Sequence, residues 1–207
     1  MLVGLPDLAL GDEYVRNKIV GYLNSLIDIG VAGFRFDAAK HMWPGDLSNI
    51  LGRLNNARED VFGPNKQAFV FMEVIDLGGE PIKGSEYTGN SRVTEFKYGM
   101  HLSNAVGKRN GQKLSYFKNF GQAWGMLPDN DAVSFIDNHD NQRGHGGGGS
   151  ILTFFESRNY KIGNAFMLAW PYGYPKVMSS YNFNKNNDAQ GPPSNNGADT
   201  KDVLINA

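Results

Sequence analysis

Short apolar runs alternate with longer amphipathic stretches along most of the chain. An apolar run of this kind, bounded by turn residues, predicts a buried strand. Such runs occupy residues 32–36, 68–72, 92–96, 132–136 and 174–178. Because helical patterns separate them, the alternation favours an α/β fold whose strands are parallel and joined by helical crossovers.

Two stretches carry the clearest helical periodicity. Asp12 is suited to cap a helix, and apolar side chains then recur at helical spacing up to Gly30, at Val15, Ile19, Leu23, Leu26 and Ile27. Ser150 is predicted to cap a second long helix, which ends before Pro171 and turns inward Ile151, Phe155, Ile162 and Phe166. A shorter helix is expected to be capped by Asp46.

Acidic residues stand at the ends of several predicted strands. Asp37 follows the first strand, Glu73 the second, and Asp140 lies just beyond the fourth. Arg35 and Asp37 are two residues apart, so in a strand they point to the same side, where a buried ion pair is the simplest explanation. The repetition of acids at strand ends instead favours a (β/α) barrel, which presents its catalytic groups there.

Composition narrows the classes of function. With 41% hydrophobic and 20% charged residues over a length of 207, the chain suits one globular domain. Its net charge of −1 gives no electrostatic reason to expect nucleic acid or an anionic membrane as a partner. No apolar run approaches the roughly 20 residues of a membrane span, and there are no cysteines to indicate disulfides.

Three motifs resemble the catalytic segments of one enzyme family. They are GFRFDAAKH at 33–41, FMEVID at 71–76 and FIDNHD at 135–140. These segments resemble those of the α-amylase family of glycoside hydrolases. The longer runs VAGFRFDAAKHMWPGD, EVIDLGGEPIK and DNHDNQRGHG are similar to the animal-type α-amylases in particular. The resemblance covers nearly the whole chain and implies a partial (β/α)8 TIM barrel, in which the predicted strands would be roughly strands four to eight.

The resemblance also implies domain boundaries. Residues 1–181 would form a partial catalytic barrel domain, and residues 182–207 would form a polar loop at its end. A complete barrel has eight strands and about 250 residues, so we expect an internal fragment of a longer protein, and such a fragment need not be active alone. The first residues lack the basic and small-residue features of a signal peptide, so Met1 is not expected to be the natural start.

By resemblance, the reaction is the retaining endo-hydrolysis of α-1,4-glucosidic bonds in starch, glycogen and related glucans. Asp37 would be the nucleophile, Glu73 the acid/base and Asp140 the third catalytic acid. Substrate contacts are expected from Lys40, His41, His139 and His145. Two alternatives stay open: a related α-glucosidase or glucan transferase on the same barrel, and a non-catalytic barrel relative. The GHGGGGS flap at 144–150 favours the endo-hydrolase, and the retained acids argue against a non-catalytic relative.

Two ions are implied as cofactors. Chloride would be bound by Arg35, Asn138 and Lys176, and the last of these positions is commonly Arg in animal-type α-amylases. Arg holds an anion with a planar fork, whereas Lys supplies a point charge, so we expect chloride binding that is weaker than with Arg. Calcium would use the Asp7 carboxylate and the His41 carbonyl, an incomplete set for an ion that takes six to eight oxygens.

The cellular setting comes from the resemblance alone. It implies a secreted, extracellular protein that is monomeric at full length. Its partners would be starch- and glycogen-type glucans, with no nucleic acid and no membrane.

Overall fold

The structure, a computed structural model, describes residues 4–147, 149, 151–195 and 199–200. The chain divides into two compact units. The first comprises Met1–Glu95, Gly121–Val133 and Tyr172–Tyr174, and the second comprises Phe96–Phe120, Ser134–Pro171 and Pro175–Ala207. Among the described residues, no helix is long and apolar enough to pass through a lipid bilayer. The predicted boundary at residues 181 and 182 stays a prediction.

A sheet of short strands with helices beside it makes up most of the first unit, and Ser134 and Pro175, at the ends of two strands, belong to the second. The helices are α1 (Glu13–Asp28), α2 (Pro44–Leu51) and α3 (Glu59–Phe62). The sheet order is β1-β2-β3-β4-β5, with β1 at Gly33–Phe36, β2 at Phe69–Met72, β3 at Arg92–Glu95, β4 at Ala132–Ser134 and β5 at Tyr174–Pro175. β1 pairs with β2, and β2 with β3, in parallel. A strand occurs at each of the five predicted places, and the order of the strands in the sheet is their order along the chain. Three of them end earlier than predicted: β3 ends at Glu95 because Phe96 begins a helix, β4 ends at Ser134, and β5 ends at Pro175.

Two helices of the first unit, α1 and α2, pack against β1. Val20 and Leu23 of α1 and Ile50 of α2 form a buried cluster, and Phe34 of β1 packs against it. On the other side of β1 the contact with β2 is tight. A Cβ atom at Gly33 would lie 2.0 Å from the carbonyl oxygen of Phe69, so the pairing of these strands depends on a residue without a side chain.

The second unit contains α4 (Phe96–Val106), α5 (Ser157–Ala169) and a small antiparallel pair, β6 (Ser194–Asn195) with β7 (Asp199–Thr200). Both long helices approach Ile136 closely. A Cβ atom at Gly99 of α4 would lie 2.6 Å from the Ile136 carbonyl oxygen, and one at Gly163 of α5 would lie 3.0 Å from Ile136 Cδ1. The absence of side chains at these two glycines thus lets both helices pack closely against the segment that leads to residue 137.

Short 3-10 turns fill several of the connections. They are Ala39–His41, Gly84–Tyr87, Leu114–Asn119, Gln122–Trp124, Asp129–Asp131, Asn141–Arg143 and Phe154–Glu156.

Helix α1 agrees with its prediction in both position and cap. The Asp12 carboxylate accepts a hydrogen bond of 2.8 Å from the Tyr14 amide. For α2 the prediction of the cap was wrong: Trp43 is the N-cap residue and Asp46 lies in the first turn. Pro44 explains the difference, because proline is preorganised for the first helical position.

The start predicted for the last helix was wrong, and its predicted inward face was only partly right, since Phe166 is half-buried with its ring centre 5.7 Å from that of Phe117. α5 begins at Ser157, and Ser150 lies outside the described residues. The side chains of Phe155 and Ile162 are exposed, whereas Gly163 and Met167 are buried. The close approach of Gly163 to Ile136 decides which face of α5 is buried, and apolar periodicity alone could not show it.

Candidate active site

Asp37 and Glu73 directly follow two neighbouring parallel strands of the first unit. β1 and β2 are paired residue for residue, with Phe36 opposite Met72. The pairing continues for one more step, because the Glu73 amide donates to the Phe36 carbonyl at 2.8 Å. Since the strands are parallel and in register, both acids leave the sheet at its carboxyl edge.

Arg35 connects the two acids. Its Nη1 lies 2.5 Å from Asp37 Oδ1 and its Nη2 lies 3.1 Å from Glu73 Oε1. The other Glu73 oxygen accepts a hydrogen bond of 2.9 Å from the Ala38 amide, and Ala38 has the left-handed φ of 50° that is uncommon for a residue with a Cβ. The ion pair considered from the sequence is therefore present, and it includes Glu73 as well as Asp37.

The two acids differ in exposure, which suits them to different chemistry. The Glu73 side chain is only 8% exposed, whereas that of Asp37 is 66% exposed. Retaining glycoside hydrolysis requires one carboxyl group that transfers a proton and a second that attacks the sugar. The sheltered Glu73 fits the first role, and the open Asp37 can reach a substrate atom.

Lys40 and His41 lie in the 3-10 turn that follows Asp37. Lys40 Nζ donates to the Ile75 carbonyl at 2.7 Å and lies 4.0 Å from Glu80 Oε1, so it ties this turn to the loop after β2. His41 is exposed beside it. Of the two predicted substrate contacts, His41 is the more accessible. Lys40 is half-buried, and its side chain holds the two loops together.

Asp140 belongs to a compact loop of the second unit that is bonded to itself. Asn138 Oδ1 accepts from the amides of Asp140 and Asn141, at 3.1 and 2.8 Å, and Asn141 Oδ1 accepts from the Asn138 amide at 2.8 Å. Such reciprocal side-chain to backbone bonds define a local turn without a helix or strand. The outer face of the loop presents His139 and Asp140, whose side chains are 57% and 40% exposed.

The flap begins by folding back over Asp140. The His145 amide donates to the Asp140 carbonyl at 2.9 Å, and Gly146 has a φ of 64°. A Cβ atom at Gly146 would lie 2.7 Å from the Cβ of Asp140. Only glycine satisfies both the backbone angle and this close approach.

Arg143 and His145 connect the flap to the segment around Asp188. Arg143 donates to the Asp188 carbonyl at 2.5 Å and to Tyr181 Oη at 2.6 Å, and its guanidinium carbon lies 4.0 Å from the centre of the Phe183 ring. His145 Nε2 is 2.7 Å from Asp188 Oδ2. This hydrogen bond and the negative charge of Asp188 raise the pKa of the His145 imidazole above its usual value.

No role was predicted from the sequence for Asp137, Gln142 or Tyr160. Asp137 is only 3% exposed, and it accepts hydrogen bonds from Tyr160 Oη at 2.8 Å and from Gln142 Nε2 at 2.9 Å. Burial raises the pKa of the Asp137 carboxyl to about 6, even though both hydrogen bonds act in the opposite direction. The sequence signal that could have identified Asp137 was an acidic residue directly after the apolar residue Ile136.

Glu95 was also missed. It ends β3, is buried, and accepts a hydrogen bond of 2.8 Å from the Leu127 amide. A strand-end acid can therefore serve the backbone of a neighbouring loop, so strand-end position alone does not identify a catalytic group.

The sequence is similar to those of known animal α-amylases. The chain is 59% identical over 214 residues to pancreatic alpha-amylase 2a5 of Mus musculus, which covers 100% of this chain and 42% of the mouse protein. It is 58% identical over 213 residues to alpha-amylase 2B of Homo sapiens, covering 99% of this chain and 42% of the human protein. No family model matches the sequence.

Solved structures agree with the sequence comparison. A variant of alpha-amylase I from Eisenia fetida in complex with maltohexaose matches with a TM-score of 0.92 and 55% identity, over 98% of this chain and 42% of that one. The wild-type enzyme from Eisenia fetida matches with a TM-score of 0.92 and 56% identity. With the parallel strands in chain order, this likeness confirms the predicted fold class, a partial (β/α)8 barrel. The chain belongs to the α-amylase family, and it spans about 42% of the length of the relatives that it matches.

Proposed function

We propose that the full-length gene product hydrolyses internal α-1,4-glucosidic bonds of starch, glycogen and related glucans with retention of configuration. The observation that carries this proposal is the pair of acids at the ends of β1 and β2, one sheltered and one open, joined by a single guanidinium group. The family membership of the chain supports it, since the relatives are α-amylases. Maltohexaose in the Eisenia fetida complex supports a glucan as substrate.

In this proposal Asp37 attacks the anomeric carbon and forms a glycosyl-enzyme bond, while Glu73 gives a proton to the leaving oxygen. Glu73 then takes a proton from the water that hydrolyses the intermediate. Asp140 would bind sugar hydroxyls and favour the cationic transition state. His139 and His145, both exposed, would donate to sugar hydroxyls, and Lys40 would act through the loops that it connects.

The test is Glu73→Gln in the full-length gene product, with starch as substrate. We expect turnover to be lost while the thermal midpoint of unfolding is retained, because glutamine keeps the shape of the side chain and cannot supply the proton. Asp37→Asn should be equally inactive. Full activity in either variant would contradict the proposed roles.

Product analysis separates the proposed reaction from its relatives. An endo-hydrolase lowers the viscosity of starch rapidly and releases malto-oligosaccharides. Release of glucose alone would indicate an α-glucosidase, and longer transfer products would indicate a transferase. An inactive wild-type protein would indicate a non-catalytic relative.

We also propose chloride as a bound ion, held by Arg35, Asn138 and Lys176. The donor set suits an anion, because it combines two cationic side chains with one amide. Asn138 Oδ1 accepts two backbone hydrogen bonds, which directs the amide nitrogen toward other partners. Bound chloride would offset positive charge near the carboxyl groups. Removal of chloride should lower the rate and shift its pH profile, and unchanged kinetics would contradict the assignment.

Calcium is proposed at the cleft that contains Asp7 and His41. Both residues line one cavity of about 570 Å³. The donor set is partial, because no group of three or more His, Cys, Asp or Glu side chains that could hold a metal occurs in the described part of the chain. Asp7 and the His41 carbonyl would supply two of the six to eight oxygens that calcium takes. A chelator should lower the thermal midpoint of the full-length protein, and calcium should restore it.

We propose a secreted protein, since several of the relatives are named pancreatic, and a monomer at full length. Detection of the protein outside the cells that produce it, and its mass in solution, test these two statements.

A further inference from the structure

Asp137 and Gln142 form the inner face of the loop whose outer face carries Asp140. Asp137 is 3% exposed and Gln142 is 7% exposed. They are joined by the hydrogen bond of 2.9 Å from Gln142 Nε2 to Asp137 Oδ2. The mechanism proposed above uses neither residue, although a buried carboxylate is costly to place and needs its partners.

Gln142 belongs to the loop by its backbone as well as by its side chain. Its amide donates to the Asn138 carbonyl at 3.0 Å, so it closes the turn that contains Asp140. Its side-chain oxygen accepts a hydrogen bond of 2.6 Å from Ser180 Oγ. One glutamine therefore links the loop to a buried carboxylate on one side and to the segment after β5 on the other.

Tyr160 holds the same carboxylate from another direction. Its hydroxyl, on α5, donates to Asp137 Oδ1 at 2.8 Å. Asp137 thus accepts one bond from the loop and one from a helix, and the two bonds are similar in length. The loop bond and the helix bond can therefore be removed separately, which makes a matched comparison possible.

We propose that Asp137 and Gln142 are positioning residues for Asp140. Their bond holds the inner face of the loop and so determines where the Asp140 carboxylate stands. The inference rests on the proposed function, in which Asp140 acts on bound glucan. Tyr160 would anchor Asp137 to the core without orienting the loop.

The experiment compares Gln142→Met with Tyr160→Phe in the full-length gene product. Each change removes one hydrogen bond to the same carboxylate and keeps the approximate side-chain volume, and Gln142→Met also removes the bond that Gln142 accepts from Ser180. We expect Gln142→Met to lower kcat on starch about tenfold or more, because small displacements of a catalytic group are costly. Tyr160→Phe should lower kcat less than about threefold, with a similar drop in the thermal midpoint of unfolding. KM should change little in either variant if the effect lies in the transition state.

A second measurement keeps the test decisive if Gln142→Met unfolds the protein. Ser180→Ala removes the hydrogen bond that the Ser180 hydroxyl donates to Gln142 Oε1. This change should lower kcat more than Ser103→Ala does. Ser103 is a matched control in the same unit, since its hydroxyl is buried and accepts a hydrogen bond of 3.0 Å from the Leu152 amide outside the loop.

The outcomes distinguish the two proposals. Equal loss of kcat in Gln142→Met and Tyr160→Phe at equal loss of stability would overturn the positioning role, and so would equal effects of Ser180→Ala and Ser103→Ala. Failure of the wild-type protein to act on starch would instead overturn the proposed function.

Discussion

The carboxylate pair of the first unit and the Asp140 loop of the second unit place acids by different physical means. Asp37 and Glu73 are placed by paired strands and by one arginine that binds both. Asp140 is placed by side-chain bonds within a turn and by a glycine of the flap. Paired strands hold an acid in place through many backbone hydrogen bonds, whereas the loop holds Asp140 through a few individual side chains.

This difference predicts where each region is sensitive. The strand-held pair should be most sensitive to changes that separate the strands or remove the shared charge. The loop should be most sensitive to changes of one or two atoms near Asp140.

Gly33→Ala should separate β1 from β2. The new Cβ would meet the Phe69 carbonyl at 2.0 Å, and backbone cannot move aside as a flexible side chain can. We expect a loss of about 3 kcal/mol or more in the free energy of unfolding, measured by urea denaturation of the full-length protein. Gly21→Ala is the control. Gly21 lies in α1 with open space around it, so alanine there should stabilise the helix by about 0.5–1 kcal/mol.

Arg35→Met should leave the Glu73 carboxylate buried without its counter-charge. Breaking one partner of a sheltered ion pair typically costs about 3 kcal/mol, so we expect a clear loss of stability by thermal or urea unfolding. Arg58→Met removes an exposed pair with Asp60 and should change stability little. Equal effects of the two substitutions would show that the shared guanidinium does not stabilise the strand-held pair.

Gly146→Ala should displace Asp140 with little effect on the sheet. Alanine there combines a φ of 64° with a contact of 2.7 Å to the Asp140 Cβ, and we expect kcat on starch to fall about tenfold. Gly144→Ala is the matched control, because Gly144 has a φ of 86° with open space around it. Both variants carry backbone strain, and only the first touches Asp140. Similar kcat values in the two variants would contradict steric control of Asp140 by the flap.

The smallest effect expected is a pH dependence of the flap contact. Asp188, through its hydrogen bond and charge, and Asp140 raise the pKa of His145, while desolvation and the positive charge of Arg143 oppose them. The contribution of the His145–Asp188 pair is therefore fully present below pH 6.5, the ordinary pKa, and is lost as the pH rises through the raised pKa.

Imidazole NMR titration checks this prediction. His145 should titrate above 6.5, whereas His101 should titrate below it, because burial and the positive charge of Lys97 lower its pKa. Asp188→Asn should lower the pKa of His145 and leave that of His101 unchanged. A His145 titration unaffected by Asp188→Asn would contradict the contact.

The sequence by itself determined the class of the fold and the placement of Asp37 and Glu73. Five apolar runs, each separated by helical patterns, are enough to predict parallel strands, and an acid directly after a strand must leave the sheet at its carboxyl edge. These properties are local in sequence, because they follow from periodicity and from the direction of the chain. The sequence motif that contains Asp140 was recognised as readily as the motifs that contain Asp37 and Glu73.

Only the tertiary structure decided how these groups are held. The bonds of Asp137 to Gln142 and Tyr160, the contact of Gly146 with Asp140 and the burial of Gly163 instead of Ile162 each join residues that approach one another through packing. Apolar periodicity describes one element at a time. It does not show which glycine packs closely against a neighbouring element or which residue donates a hydrogen bond to a buried carboxylate. Those choices depend on distances of a few tenths of an ångström between separate elements, and packing alone sets such distances.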